Sequence, residues 1–123
     1  MIEVTPQAMA RYREAVRRRQ QMRQRARAER LARAWEVARQ AAELLTGEFG
    51  ATQVIVFGSL AHGRWFTERS DIDLAAVNLR AEDYLVAVAR LQDLSAEFAI
   101  DLVAWECCRP ELRAIIEAEG IEI

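Results

Sequence analysis

Asp71 and Asp73 stand one residue apart in Ser70-Asp71-Ile72-Asp73-Leu74-Ala75-Ala76-Val77, a stretch that reads as the opening of a β-strand. A strand repeats every two residues, so both carboxylates are expected on one face and Ile72 and Leu74 on the other. Aspartate is disfavoured in strands, and two close carboxylates repel unless a positive charge sits between them. A hard divalent cation with oxygen ligands suits such a pair; Mg²⁺ typically takes one or two carboxylates plus substrate phosphates. Upstream, Val54-Ile55-Val56-Phe57 is a β-branched and aromatic run that ends at Gly58-Ser59. A helical turn starting there would offer free N–H groups and the Ser59 hydroxyl to an anion, and Gly58 would let backbone approach a triphosphate. A phosphate cradle beside carboxylate-held metal is the equipment of phosphoryl or nucleotidyl transfer. A third carboxylate, Asp101, interrupts the apolar run Phe98–Trp105. In a buried strand it would need a partner or a metal, the favoured reading; the competing one puts Asp101 at an exposed sheet end.

At these residues the chain resembles the DNA polymerase β-type nucleotidyltransferase superfamily. The pattern is strand, Gly58-Ser59, Gly63, then Asp71-Ile72-Asp73 opening a second strand. The short chain points to the minimal nucleotidyltransferase branch, and the resemblance runs from about Ala51 to Ile123. Relatives often place ten residues between the Ser and the first Asp; Leu60 to Ser70 makes eleven, a loop insertion of small cost. The resemblance implies that Asp71, Asp73 and Asp101 are catalytic and hold two Mg²⁺ ions. It implies that Gly58, Ser59 and Gly63 meet the nucleotide; Arg64 and Arg69, by their charge and place in the same loop, are further candidate contacts to the triphosphate. His62, the one histidine, reads as a loop residue without a catalytic task; Trp65 and Phe66 read as cover for the sheet edge.

The elements that position these groups are legible from periodicity. Thr5-Pro6 forms a helix start, no Gly or Pro occurs from Gln7 to Thr46, and Gly47 supplies a stop. One long Arg-rich helix is predicted over 5–46, followed by a small domain over 47–123. Leu31, Trp35, Ala38, Ala42 and Leu45 form the stripe that packs on the sheet. A helix of about 60 Å exceeds what the remaining domain can cover, so part of it must project or pack elsewhere. Residues 81–97 read as one amphipathic helix, 98–105 as a strand, 111–119 as a last helix, and 121–123 as an edge strand. The fold class is α+β: a small mixed sheet flanked by helices.

All 17 basic residues are arginine and the net charge is −2. That figure hides a division: residues 1–46 carry eleven arginines against five acidic residues, and 47–123 carry six against fourteen. A basic arm joined to an acidic domain favours a docking surface for an acidic protein, or pairing of the arm with a copy of itself. RNA is the less favoured partner, because aromatic residues are not interleaved with the arginines. No apolar run approaches a membrane span and no leader is visible over residues 1–6. The adjacent Cys107 and Cys108 read as small packing residues; neighbouring cysteines seldom bridge, which argues against a disulfide framework and makes the cytoplasm the expectation, and one histidine and one Cys pair argue against zinc.

The resulting expectation is an enzyme that moves AMP from MgATP to a hydroxyl. Minimal nucleotidyltransferases resembling this chain often serve as antitoxins to a helical HEPN-type toxin. The resemblance therefore implies a toxin partner and adenylylation of that protein. The competing expectations are a non-catalytic antitoxin that masks its partner, and an RNA-binding module built on the arm.

Overall fold

The computed structural model describes residues 3–123; Met1 and Ile2, the start of the stretch read above for a leader, lie outside the described residues. Helix α1 runs Pro6–Gly47, one residue beyond the predicted end. Its start is capped as expected: the backbone N of Ala8 donates to Thr5 Oγ1 at 3.1 Å. The chain divides into two compact units, Met1–Arg30 and Leu31–Ile123. Of the first unit's described residues, 6–30 are helical, and their side chains are exposed except for the half-buried Ala15, Val16 and Arg30.

In the second unit, β1 (Gln53–Phe57) leads into the short helix α2 (Gly58–His62), then β2 (Ile72–Val77), α3 (Tyr84–Gln92), β3 (Ile100–Ala104), α4 (Pro110–Glu119) and β4 (Ile121–Glu122). The four strands form one mixed sheet in the order β3-β2-β1-β4. β1 is antiparallel to β2 and to β4, and β2 is parallel to β3. No helix of the described residues is long and apolar enough to cross a membrane.

The pleat assigns each strand residue to a face. Val54, Val56, Ile72, Leu74, Ile100 and Leu102 point to the main core, where they meet Ala34, Ala38, Ala41, Ala42 and Leu45 of α1 and Ala87 and Leu91 of α3. Alanines dominate the α1 stripe; small side chains let a helix lie close on a sheet. The predicted stripe holds, with Ala34 and Ala41 added and Leu31 and Trp35 only partly buried. The opposite face carries Ile55, Phe57, Ala75 and Val103, packed with Ile116 and Leu112 of α4.

Several boundaries differ from expectation. The helix predicted over 81–97 is a 3-10 turn, Ala81–Asp83, followed by α3, which stops at Gln92. Ser95 Oγ accepts from the backbone N of both Glu97 and Phe98 at 3.1 Å. Such local side-chain bonds compete with helix propagation. The strand predicted over 98–105 is trimmed to Ile100–Ala104.

β3 is an edge strand, and its outward carbonyls are closed by side chains. Ile100 O accepts from Gln92 Nε2 at 2.6 Å, Leu102 O from the Tyr84 hydroxyl at 2.7 Å, and Ala104 O from Cys108 Sγ at 3.3 Å. An edge so capped is a poor template for another strand. Trp65, expected to cover a sheet edge, is instead 69% exposed. Phe66 does pack, with its ring 6.0 Å from that of Phe98. Cys107 is exposed rather than packed, whereas Cys108 is half-buried beside α4.

Candidate active site

The site is built where β1 ends and β2 begins. The register sets Phe57 opposite Asp73, so the chain leaving β1 turns directly beside that carboxylate. It turns at Gly58, whose φ is +71°. A Cβ there would sit 2.4 Å from Asp73 Oδ2. The left-handed backbone favours glycine, and any side chain there would displace the Asp73 carboxylate. α2 starts at this turn, and no side chain caps its first N–H groups. Its end is closed by Gly63, φ +71°, whose N donates to Ser59 O at 2.8 Å. The helical turn expected after Gly58 is therefore present, and Gly63 is explained by the left-handed cap it provides.

Across the sheet, Asp73 is the register partner of Asp101 in the parallel β2–β3 pair, so the two project from the same face on neighbouring strands. Two ranks run across this face. Ile55, Ala75 and Val103 form the first, and α4 packs on it. Phe57, Asp73 and Asp101 form the second, one pleat further on.

Asp73 is half-buried and its carboxyl is pushed up from 3.8 to about 6, first by burial, then by the negative charge of Asp101 and then of Asp71. A carboxylate that two others and desolvation oppose is an electrostatic deficit that a cation would relieve. Two expectations need correction. Asp71 precedes β2 rather than belonging to it, so strand periodicity does not set its direction. Asp101 is exposed, not buried, because β3 is an edge strand. Burial falls on Asp73 instead.

Among the described residues no group of three or more His, Cys, Asp or Glu is gathered closely enough to hold a metal ion as it stands. The close cluster expected of Asp71, Asp73 and Asp101 is thus not formed. The donor chemistry fits a hard cation: all three are anionic oxygen donors on adjoining segments, and the half-buried member is destabilised by the others.

The remaining candidates divide. Arg64 and Arg69 are exposed on the loop between α2 and β2. That loop is stiffened by Thr67 N donating to Ser70 Oγ at 2.8 Å and Ser70 N donating to Thr67 O at 3.1 Å. His62 is the last residue of α2 and pairs with Glu119 of α4 at 2.9 Å. It ties the turn to the helix over the neighbouring rank. Sequence reasoning missed Glu119, and 57 positions of separation left no local signal for it.

Residues 39–123 match the family model described as Polymerase beta, Nucleotidyltransferase. None of the curated proteins matches the chain. Among solved structures, a protein assigned as a minimal nucleotidyltransferase is similar at 29% identity and a TM-score of 0.56, over 75% of this chain and 90% of that one. A toxin–antitoxin structure with AMP-PNP is similar at 19% identity and a TM-score of 0.55, over 68% and 69%. A protein from Sulfolobus solfataricus assigned as a nucleotidyltransferase is similar at 20% identity and a TM-score of 0.54, over 78% and 84%. Below a quarter identity the likeness concerns the fold alone, but the family model spans more than half of the chain and covers every residue of the site described above. The chain therefore belongs to the polymerase β-type nucleotidyltransferase family.

Proposed function

We propose that the chain is an adenylyltransferase that moves AMP from MgATP to a hydroxyl on a partner protein, and that it acts as the antitoxin of a HEPN-type toxin. The observation that carries this reading is the crowding of the Gly58 turn against Asp73, with Asp101 in register across the sheet. The acceptor hydroxyl oxygen attacks the α-phosphorus, the P–O bond to pyrophosphate breaks, and the hydroxyl proton passes to Asp101. Ser59 and the uncapped amides of α2 hold the phosphates, and Arg64 and Arg69 reach them from the loop. Asp71, Asp73 and Asp101 would hold Mg²⁺, which when bound supplies charge neutralisation and lowers the pKa of the attacking hydroxyl. Exposure of Asp101 suits a base that must meet a hydroxyl brought by another macromolecule.

Support for the nucleotide comes from a structural relative solved with AMP-PNP, and support for the partner from that relative being a toxin–antitoxin pair. The domain organisation we propose is a catalytic unit over 47–123 preceded by a helical arm over 5–46. The test is incubation of the chain with α-labelled ATP, Mg²⁺ and the product of a neighbouring toxin gene. Label is expected on the partner, and none with Asp101→Asn, whose fold should be intact by circular dichroism. Undiminished transfer by that variant would remove Asp101 from the mechanism. Absence of any nucleotide binding by the wild-type chain would favour a masking antitoxin.

A further inference from the structure

Within the first compact unit, α1 is divided lengthwise by charge. At about 100° per residue, Arg13, Arg17, Arg19, Arg23 and Arg27 fall within one arc of about 160° around the helix. Met9, Tyr12, Val16, Gln20 and Gln24 lie in the same arc, and no carboxylate of the helix does. Glu14 and Glu29 stand on the opposite side, where they pair with Arg18 and Arg25. Among the described residues the five arginines of the arc have no ion pair, and all five are exposed. Arg19, Arg23 and Arg27 repel one another at i,i+4, so the row costs the helix stability until an anion screens it.

From Arg13 to Arg27 the helix rises about 21 Å. A nucleic-acid strand carries one charge about every 3.4 Å, so about six phosphates span the length over which the arc presents its guanidinium groups. An acidic protein is the poorer complement, because helices that dock on proteins present an apolar stripe. Met9, Tyr12 and Val16 end before the arginine row begins, and Met22, Ala26 and Ala28, the apolar residues between Arg17 and Arg30, fall outside the arc. Arginine suits phosphate, and glutamine offers a donor and an acceptor to base edges. The aromatic residue that is not interleaved with the arginines in sequence nevertheless stands on their side of the helix: Tyr12, 62% exposed. Stacking on its ring needs an unpaired base, which a duplex does not offer.

We infer that the Tyr12–Arg27 face of α1 binds single-stranded RNA, with the five arginines on phosphates, Gln20 and Gln24 at base edges and Tyr12 stacked on a base. This surface is independent of the nucleotidyl-transfer site. Fluorescence anisotropy of a labelled 15-nucleotide single-stranded RNA, titrated with the full chain between 50 and 300 mM NaCl, tests it. The logarithm of the association constant is expected to fall against the logarithm of salt with a slope of about −3.5, that is about 0.7 for each of the five arginines. Arg19→Ala/Arg23→Ala/Arg27→Ala, helical by circular dichroism, should bind at least tenfold more weakly at 50 mM, with the slope reduced to about −1.4. Tyr12→Ala should lose at least fivefold, and Tyr12→Phe should stay within twofold of wild type. The charge-neutral variant Glu14→Ala/Arg18→Ala/Arg25→Ala/Glu29→Ala, on the opposite side, should also stay within twofold. No RNA binding by the wild-type chain, a salt slope near zero, an unaltered triple-arginine variant or an unaltered Tyr12→Ala each overturns the inference. So does binding of a duplex DNA of the same length, or of polyglutamate, at least as tight as that of the RNA; the first would point to a duplex groove and the second to an acidic protein.

Discussion

Asp73→Asn should make the metal-free protein more stable while abolishing transfer. Burial and the charges of Asp101 and Asp71 raise the Asp73 carboxyl from 3.8 to about 6. A carboxyl whose folded value exceeds its unfolded value holds its proton more tightly when folded. Its ionisation therefore costs stability as pH rises from 3.8 towards 6, and the full cost stands above that range. The rise sets a ceiling of about 3 kcal/mol. Asp73 is only half-buried, so solvent screening reduces the usable part to about 1–1.5 kcal/mol. For a chain of this size that is a gain of roughly 3–6 °C in Tm. The assay is thermal unfolding of both proteins with EDTA at pH 7.5 and at pH 4.5. The variant should melt higher at pH 7.5, and the gap should narrow at pH 4.5, where folded wild type already carries the proton. Adding Mg²⁺ at pH 7.5 should raise the wild type and leave the variant nearly unmoved. No gain at pH 7.5, or an equal gain at both pH values, would refute the electrostatic reasoning.

Other substitutions separate the parts of the site from the parts of the scaffold. Gly58→Ala places a methyl against Asp73 Oδ2 at a positive φ and should cost about 1–3 kcal/mol in urea unfolding, with loss of nucleotide binding. Ser59→Ala removes a hydroxyl from the turn and should weaken ATP binding at least tenfold, read by calorimetry, with Tm within 2 °C of wild type. Tyr84→Phe leaves Leu102 O unpaired at the sheet edge; it should cost about 0.5–1.5 kcal/mol and raise aggregation on heating, followed by static light scattering.

Much of this architecture was legible because local chemistry agreed with the final fold. Thr5-Pro6 and Gly47 bracket α1, and the apolar stripe on its second half packs where its spacing said it would. The Gly-Ser break after Phe57 announced α2, and Ile121–Glu122 forms the expected short edge strand. What the sequence concealed were consequences of topology. Asp101 reads as a buried charge because its neighbours are apolar, yet it is the exposed position of an edge strand whose Val103, on the same face, is the residue that packs. Asp71 reads as a strand residue because it alternates correctly with Asp73, yet the chain joins the sheet only at Ile72. The end of α3 was hidden because Ser95, an ordinary polar residue in a helical pattern, turns its hydroxyl to the following backbone.

The two ranks on the α4 face of the sheet explain how so small a unit holds a charged site without losing its core. Moving one pleat along β1, β2 and β3 exchanges Ile55, Ala75 and Val103 for Phe57, Asp73 and Asp101. The apolar rank fixes α4 through Ile116 and Leu112, and α4 in turn reaches α2 through Glu119 and His62. The turn that crowds Asp73 is thus held from both sides, by its own strand and by the helix on the neighbouring rank. The acidic rank has Phe57, not a further charge, as its third member, and Phe57 is buried. That apolar flank desolvates Asp73 while Asp101, at the sheet's edge, stays in water. Two carboxylates in one register thereby acquire different surroundings: the inner one suits holding a cation, and the outer one suits meeting a hydroxyl that arrives from solvent.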